Sequence, residues 1–224
     1  MQKRKKILIG VEFFEEIIEE DYFYVDKTLF IKELIDKKGK TNLFTRPRRF
    51  GKTLALTTLQ CFFDIKQKRK DLFTGLKIME YPEIVERYQN KYPVVFITLK
   101  DVVFSSYEEA LNRIEILIKS VFRRHLYITK SKIIDKATRN QFLRYREGDI
   151  CESELEDSLY FLCECLYTHY YKKVIVLIDE YDTPINSSLE ENYYPQMIKF
   201  MRGFLGSVFK SNPYLEFGVL TGVQ

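Results

Sequence analysis

The sequence predicts an α/β fold in which helices cover both faces of a parallel sheet, a three-layer α/β/α sandwich. Two observations support it. Apolar runs rich in β-branched residues alternate with stretches of helical periodicity, and polar motifs directly follow two of those runs. Strands separated by helices are joined by parallel crossovers, which place ligands at the carboxyl ends of the strands. We therefore expect both polar motifs at one edge of the sheet.

Four short apolar runs are predicted to be strands: Thr41–Thr45, Pro93–Leu99, Val174–Ile178 and Leu215–Leu220. Apolar residues at helical spacing predict six helices: Phe13–Glu20, Thr28–Asp36, Lys52–Phe63, Tyr107–Leu126, Leu155–Tyr171 and Gln196–Lys210. Either Asp26 or Thr28 is expected to cap the second helix. The composition of Tyr181–Ile185 is typical of a turn.

Composition favours one folded domain. The chain has 224 residues, of which 46% are hydrophobic and 30% charged, which excludes the low hydrophobicity typical of disordered chains. Its longest uncharged apolar run, Val174–Ile178, is too short to cross a bilayer, and the basic start Met1–Lys6 is not followed by the apolar stretch of a signal peptide. We expect no membrane partner and a cytoplasmic location, in which the four cysteines are reduced.

The charged and metal-binding residue types give no specific signal. A net charge of +4 is spread over the chain and does not by itself indicate nucleic acid. The basic stretch Lys66–Lys70 is interpreted as a solvated helix end, where cations favour the helix dipole. Cys163, Cys165 and His169 do not have the spacing of a usual zinc site, so helix packing is the favoured interpretation.

The segment Arg46–Thr53 has the sequence RPRRFGKT and matches the last three positions of the phosphate-loop pattern G-x-x-x-x-G-K-[ST]. A glycine lets backbone amides turn toward phosphate, a lysine reaches the terminal phosphates, and a threonine hydroxyl can bind Mg²⁺. A helix start on a basic surface is the alternative, but the position between a strand and a helix favours phosphate binding. The predicted nucleotide contacts in this segment are Arg46, Pro47, Arg48, Arg49, Phe50, Gly51, Lys52, Thr53 and Leu54.

A second motif, Asp179-Glu180, ends the most apolar predicted strand. A buried strand that ends in carboxylates is expected where an acid meets magnesium-bound phosphate. Asp179 and Thr53 are the predicted metal-side residues, and Glu180 is predicted to orient and deprotonate the attacking water. Thr221 follows the last strand and either senses the terminal phosphate or belongs to a turn; Asp182 is either an indirect partner of the site or a turn residue. Together the motifs predict binding of ATP and Mg²⁺.

Six phrases of the chain carry a family resemblance: Tyr24–Thr28, Phe44–Thr53, Leu72–Leu76, Tyr92–Asp101, Val176–Ile185 and Leu220–Gly222. Taken together they resemble the predicted AAA-ATPase-like family of bacterial and archaeal proteins, whose members often carry a nuclease-like C-terminal region of the PD-(D/E)XK type. The resemblance implies a P-loop NTPase core of the additional-strand type with parallel sheet order 5-1-4-3-2. It also implies that arginine is the family's ordinary residue at position 46.

The resemblance further implies two parts. An N-terminal helical segment, residues 1–40, is expected to pack near the nucleotide base, where Tyr24 stacks and Asp26 or Lys27 makes polar contacts; capping of the following helix is the alternative role for Asp26. Residues 41–224 are expected to form the ATPase core. Similar proteins continue into a helical lid and the nuclease-like region, so this core is expected to lack a lid.

The sequence leaves three functions open. The first is a magnesium-dependent ATPase or ATP-driven switch in a nucleic-acid-related system, such as defence or a mobile element, with Glu180, Lys52 and Thr221 as catalytic residues. Hydrolysis is expected to be slow in this chain because related ATPases receive an arginine from a later segment or a neighbouring subunit. The second is a non-hydrolysing nucleotide-binding or interaction module. The third is a small-molecule kinase. It requires an arginine-rich lid, for which Arg139, Arg144 and Arg146 are only a weak candidate.

The expected partners are a nucleotide, a C-terminal nuclease-like region or partner protein, nucleic acid and a second copy of the chain.

Overall fold

The computed structural model describes residues 10–47 and 49–223, which form a parallel sheet with helices on both faces. The strands are β1 (Thr41–Thr45), β2 (Val94–Thr98), β3 (Val174–Asp179) and β4 (Leu215–Gly222), in the spatial order β1-β4-β3-β2. Each predicted strand forms within two residues of its expected bounds. The α/β class and the parallel arrangement are confirmed.

The sheet has four strands within the described residues, whereas the family resemblance implied five. Its order, 1-4-3-2, therefore differs from 5-1-4-3-2, because those residues place no strand outside β1. The two edges of the sheet also differ: Leu43 on β1 is exposed, while the outer edge of β2 receives a side chain. There Arg124 Nη2 donates to the carbonyl oxygen of Phe96 at 2.5 Å.

The described residues contain nine α-helices: α1 (Phe14–Glu19), α2 (Leu29–Lys37), α3 (Lys52–Phe63), α4 (Pro82–Tyr88), α5 (Tyr107–Arg124), α6 (Lys136–Glu147), α7 (Glu152–Tyr170), α8 (Thr183–Glu190) and α9 (Tyr194–Phe209). The sequence pattern did not predict α4, α6 or α8. The predicted turn Tyr181–Ile185 was wrong from Thr183 onward, because Pro184 lies in the first turn of α8, where its missing N–H is tolerated. Among the described residues, no helix combines the length and the apolarity that crossing a membrane requires.

Two apolar cores lie on opposite faces of the sheet, and β3 supplies both. Successive side chains of β3 point to opposite faces and so enter the two cores in turn, as expected for a strand covered on both faces. Val174, Val176 and Ile178 pack in the core formed with α5, α6, α7 and α9. Ile175 and Leu177 pack in the core formed with α1 to α4. The same alternation turns Asp179, the last residue of β3, toward α3.

Candidate functional site

The predicted phosphate loop connects β1 to α3. Gly51 is the N-cap residue of α3 and has φ +74°, a left-handed conformation that glycine adopts without steric cost. Lys52 is buried, and its Nζ donates to the carbonyl oxygens of Arg46 at 3.0 Å and Pro47 at 3.2 Å. Arg46, Pro47, Arg49, Phe50 and Gly51 are exposed, Thr53 and Leu54 are half-buried, and Arg48 lies outside the described residues. The loop is therefore exposed to solvent, and the buried ammonium group of Lys52 contacts its backbone carbonyls.

Asp179 is completely buried, and hydroxyl groups from two other elements donate to its carboxylate. Thr53 Oγ1, in the first turn of α3, donates to Oδ2 at 2.8 Å. Thr221 Oγ1, in β4, donates to Oδ1 at 2.5 Å. The strand register explains the second contact. Ile178 of β3 pairs with Leu220 of β4, so the residues that follow them, Asp179 and Thr221, lie side by side. The structure thus brings together three of the predicted site residues from α3, β3 and β4.

This group of side chains fits a magnesium ion by the chemistry of its donors. Mg²⁺ prefers oxygen ligands and is usually held by one or two carboxylates together with substrate phosphates and water. Thr53 and Asp179 supply one hydroxyl and one carboxylate in direct contact. Over residues 10–47 and 49–223, no three His, Cys, Asp or Glu side chains are grouped as a metal site. Thr53 and Asp179 therefore fit Mg²⁺ by the type of their donor atoms.

Glu180 lies directly beside this carboxylate in a left-handed conformation, with φ +51°. Its backbone N–H donates to Thr221 Oγ1 at 3.2 Å, and its Oε2 accepts from Thr183 Oγ1 at 3.4 Å. The Thr221 hydroxyl therefore contacts both acidic residues, as a donor to one and an acceptor from the other. A non-glycine residue in this region is strained by about 1 kcal/mol, and such strain is concentrated at functional sites.

Asp182, whose role the sequence left open, supports the end of β4. Its Oδ2 accepts from the N–H of Val223 at 2.9 Å and from Asn186 Nδ2 at 3.2 Å. A Cβ atom on Gly222 would lie 2.9 Å from Asp182 Oδ1, so a side chain there would collide with this carboxylate. The carbonyl oxygen of Gly222 in turn accepts from the N–H of Arg46 at 3.3 Å. Asp182 is therefore connected through β4 to the first residue of the phosphate loop.

Tyr24 and Asp26 make contacts within the N-terminal part of the fold. The Tyr24 ring packs edge-on against Phe14 at 5.5 Å, and burial raises the pKa of its hydroxyl. Asp26 Oδ1 accepts from the Thr28 N–H at 2.8 Å, and Oδ2 accepts from the Lys77 N–H at 2.7 Å. Burial acts to raise the pKa of this carboxyl, but these bonds outweigh it and lower the pKa. The nucleotide contacts expected of both residues stay predictions.

Asp26 is also not a conventional cap of α2. Its side chain bonds the N–H and hydroxyl of Thr28, which is itself the N-cap residue and makes no side-chain capping bond. The pair instead fastens α2 to the 3₁₀ turn Lys77–Glu80, since Thr28 Oγ1 also accepts from the N–H of Ile78 at 3.1 Å.

The arginines considered for a kinase lid are engaged elsewhere. Arg139 Nη2 donates to the carbonyl oxygens of Ser131 at 3.0 Å and Ile134 at 3.1 Å. Arg144 and Arg146 form ion pairs with Glu154 and Glu147, respectively. All three belong to α6, which packs against α5 and α7. These contacts stabilise the helical layer and give no support to a kinase lid.

Two clefts lie away from the hydrogen-bonded site. One, of about 560 Å³, lies between α1 and the end of α3 and is lined by residues that include Glu15, Gln60 and Asp64. The other, of about 580 Å³, lies among α6, α7 and α9. Neither is lined by the phosphate loop or by Asp179. The candidate site is identified by its converging polar groups.

A family model described as "Predicted AAA-ATPase" matches residues 8–224. The chain belongs to this predicted AAA-ATPase family. Membership confirms the resemblance carried by the six sequence phrases, and at a coarse level it makes the protein a nucleotide-binding member of the ATPase class, a class that usually also uses Mg²⁺.

A curated relative from Azotobacter chroococcum mcd 1, "Uncharacterized protein in vnfD 5'region", is 30% identical over 223 residues. The aligned region is 99% of this chain and 38% of the relative, so the chain spans well under half of that protein's length. No solved structure matches the chain.

Proposed function

We propose that this chain binds ATP with Mg²⁺ at the carboxyl ends of β1, β3 and β4 and hydrolyses it. The observation that carries the proposal is the contact of Thr53 and Thr221 with the two oxygens of Asp179. Thr53 and Asp179 are the residue types that hold Mg²⁺ beside a nucleotide. Their contact supports Walker-type roles for the loop Arg46–Thr53 and for Asp179-Glu180.

Each residue has a distinct proposed role. The amides around Gly51 and at the start of α3 bind phosphate oxygens, aided by the positive end of the helix dipole. Lys52, which bonds loop carbonyls in this structure, exchanges those bonds for oxygens of the terminal phosphates. Thr53 and Asp179 would hold Mg²⁺, which when bound would neutralise charge on the phosphates. Glu180 orients the attacking water and accepts its proton, and Thr221 positions both acidic residues from β4.

We also infer a five-stranded sheet of the additional-strand type, in the order 5-1-4-3-2. The four described strands keep the relative order 1-4-3-2, and β1 lies at an edge with Leu43 exposed. A further parallel strand beside β1 would cover that edge. The greater length of the Azotobacter relative is consistent with such a strand lying in a longer protein. A nucleic-acid-directed partner activity is proposed on the family resemblance alone.

A non-hydrolysing nucleotide-binding module is the second candidate, and one observation favours it. Arg139, Arg144 and Arg146 are bonded within the helical layer, so they do not supply an arginine to the terminal phosphate. Loss of such an arginine lowers phosphoryl-transfer rates by about 10³- to 10⁵-fold. Magnesium-dependent phosphate release by this chain, measured in excess ATP, separates the two candidates. A measurable rate that Glu180→Gln removes excludes the non-hydrolysing module.

Nucleotide-dependent thermal stabilisation tests binding itself. A ligand at a hundred times its dissociation constant adds about 2.7 kcal/mol to the free energy of unfolding. We expect this stabilisation with ATP and Mg²⁺ and expect Lys52→Ala to remove most of it. Lys32→Ala, a change at a half-buried lysine of α2 that pairs with Asp36, is the control and should keep it. If Lys52→Ala were stabilised as strongly as the control, the proposed phosphate site would be wrong. ADP and GTP, with and without Mg²⁺, define base and metal preference.

A further inference from the structure

Basic residues from three separate segments meet at the amino-end edge of the sheet, opposite the nucleotide site. They follow α3, lie at the end of α5 or of the 3₁₀ helix Leu126–Lys130 after it, or precede β3, and all of them are exposed: Lys66, Lys68, Arg123, Arg124, Lys130, Lys172 and Lys173. Three tyrosines accompany them: Tyr127, Tyr170 and Tyr171. We call these ten residues the amino-edge surface. The chain has a net charge of +4, and seven of its 36 lysines and arginines lie on this surface.

Direct contacts join the segments into one surface. Lys66 Nζ donates to the carbonyl oxygen of Arg124 at 3.1 Å and lies 4.7 Å from the centre of the Tyr127 ring. The Tyr127 ring lies 6.1 Å from that of Tyr170 and 5.6 Å from that of His169. Tyr171, Lys172 and Lys173 follow Tyr170 directly in the chain and add an exposed ring and two exposed lysines to this surface.

Helix capping explains part of this composition but not all of it. Cations near helix C-termini are stabilised by the helix dipole, which accounts for Arg123 and Arg124 at the end of α5. It does not account for Tyr171, the C-cap residue of α7, whose φ is +51°. Glycine or asparagine is favoured at such a position, yet here a tyrosine occupies it with 69% of its surface exposed. The ring is therefore available for contact with a ligand.

An unpaired histidine nitrogen and the positions of the nearest carboxylates also affect which ligand this surface can bind. His169 Nδ1 is buried and has no hydrogen-bond partner, so a polar group remains to be satisfied beside Tyr127 and Tyr170. Asp64 is the carboxylate closest in sequence to the basic residues, and its Oδ1 accepts from the N–H of Lys66. Glu15 on α1 limits the surface on that side through its contact with Gln67. The basic residues therefore outnumber the acidic ones at the centre of the surface.

We propose that the amino-edge surface binds single-stranded nucleic acid. Its lysines and arginines neutralise phosphates, and Tyr171 stacks on an unpaired base. The exposed ring of Tyr171 distinguishes this ligand from a duplex, whose base faces are already stacked, and from an acidic peptide or a lipid headgroup, which offers no flat base. The surface lies at the sheet edge opposite Asp179, so the proposal does not depend on nucleotide binding.

Charge reversal tests the phosphate contacts. The variant is Lys172→Glu with Lys173→Glu, and the matched control reverses Lys199 and Arg202, two exposed residues of α9. Binding of a fluorescent oligothymidine to the full chain is followed by anisotropy over a salt series. We expect the first variant to lose affinity about tenfold or more and its salt slope to fall by about 0.7 for each lost phosphate contact. Equal losses in both variants, or no binding to the wild-type chain at low salt, would overturn the proposal.

Substitution of the exposed ring separates base stacking from attraction to any polyanion. We expect Tyr171→Ala to lower affinity for oligothymidine by about 5-fold to 100-fold and to leave heparin binding unchanged. If duplex DNA, heparin or vesicles of anionic lipid bound as tightly as oligothymidine and Tyr171→Ala had no effect, the surface would be a general polyanion site and the proposal would fail. Thermal unfolding of every variant excludes misfolding. Lys52→Ala should bind oligothymidine normally, which keeps this test separate from the nucleotide site.

Discussion

The two edges of the parallel sheet use polar residues in opposite ways. At the carboxyl edge, Asp179, Thr221 and Lys52 are buried and bonded to named partners. At the amino edge, basic side chains are exposed, and Lys66 makes its contact with a helix-end carbonyl. The crossover topology explains the division, since it collects helix N-termini at one edge and helix C-termini at the other. The first edge favours a compact anion in a defined geometry, whereas the second favours an extended chain of phosphates.

Backbone strain accompanies both edges. Glu180 at the carboxyl edge and Tyr171 at the amino edge each have φ +51°, although neither is a glycine. At Glu180 the conformation places an acidic residue between β3 and α8. At Tyr171 it leaves a ring exposed at the end of α7. Four predictions test the comparison, beginning with the largest expected effect.

Glu180→Gln should lower the rate of ATP hydrolysis by about 10²- to 10⁴-fold, because the amide cannot accept the proton of the attacking water. ATP-dependent thermal stabilisation should stay close to that of the wild-type chain, since Mg²⁺ is assigned to Thr53 and Asp179. Glu191→Gln, an exposed change at the end of α8, is the control for phosphate release. A Glu180→Gln variant that hydrolysed ATP as fast as this control would remove Glu180 from the mechanism.

Asp179→Asn should weaken binding of ATP in the presence of Mg²⁺ by about 10-fold to 100-fold, because a bond to a charged group contributes roughly 1.5–3 kcal/mol and a neutral amide loses most of it. In EDTA the affinity for ATP should change much less. Calorimetric titrations with and without Mg²⁺ measure both values. Equal losses under the two conditions would mean that Asp179 supports the loop through Thr53 rather than holding the metal.

The sequence predicted the carboxyl edge better than the amino edge, for a physical reason. Gly51, Lys52 and Thr53 are adjacent in sequence, and Asp179 ends an apolar strand, so topology alone brings the motifs together. Asp182 was left open because its role depends on the N–H of Val223, which only the folded chain places beside it.

The amino-edge surface was not predicted, because its parts are distant in sequence. Lys66–Lys70 was interpreted as a solvated helix end, and Lys66 meets Arg124 across 58 positions through tertiary packing. The helices α4 and α6 were missed as well. The pattern of α6 is dominated by charged and polar residues, and Phe142 and Tyr145 are its buried residues.

The amino edge should also make stability depend on pH. Burial, with the nearby charges of Lys66 and Arg124, lowers the pKa of His125 from 6.5 to about 3. As pH falls below 6.5, the unfolded chain binds a proton that the folded chain excludes, so stability decreases through the window from 6.5 to 3. We expect a loss of about 2 kcal/mol between pH 7 and pH 5 from this group.

Denaturant unfolding of His125→Asn at several pH values measures that contribution. The variant should lack this part of the loss, while His169→Asn, a change at the less buried histidine, should keep most of it. The same pH dependence in His125→Asn and the wild-type chain would show that another group is responsible.

Tyr171→Gly has the smallest expected effect and separates stability from binding. Glycine adopts φ +51° without steric cost, so we expect the free energy of unfolding to rise by up to about 1 kcal/mol. Lys38→Gly, at the left-handed C-cap of α2 with φ +50°, is the matched control and should give a similar gain. Oligothymidine affinity should fall in Tyr171→Gly alone, because a tyrosine kept there at a cost in stability is expected to contact a ligand. If both variants became more stable and both bound oligothymidine normally, the strain at Tyr171 would have no role in nucleic-acid binding. Base stacking on Tyr171 would then be excluded from the proposal.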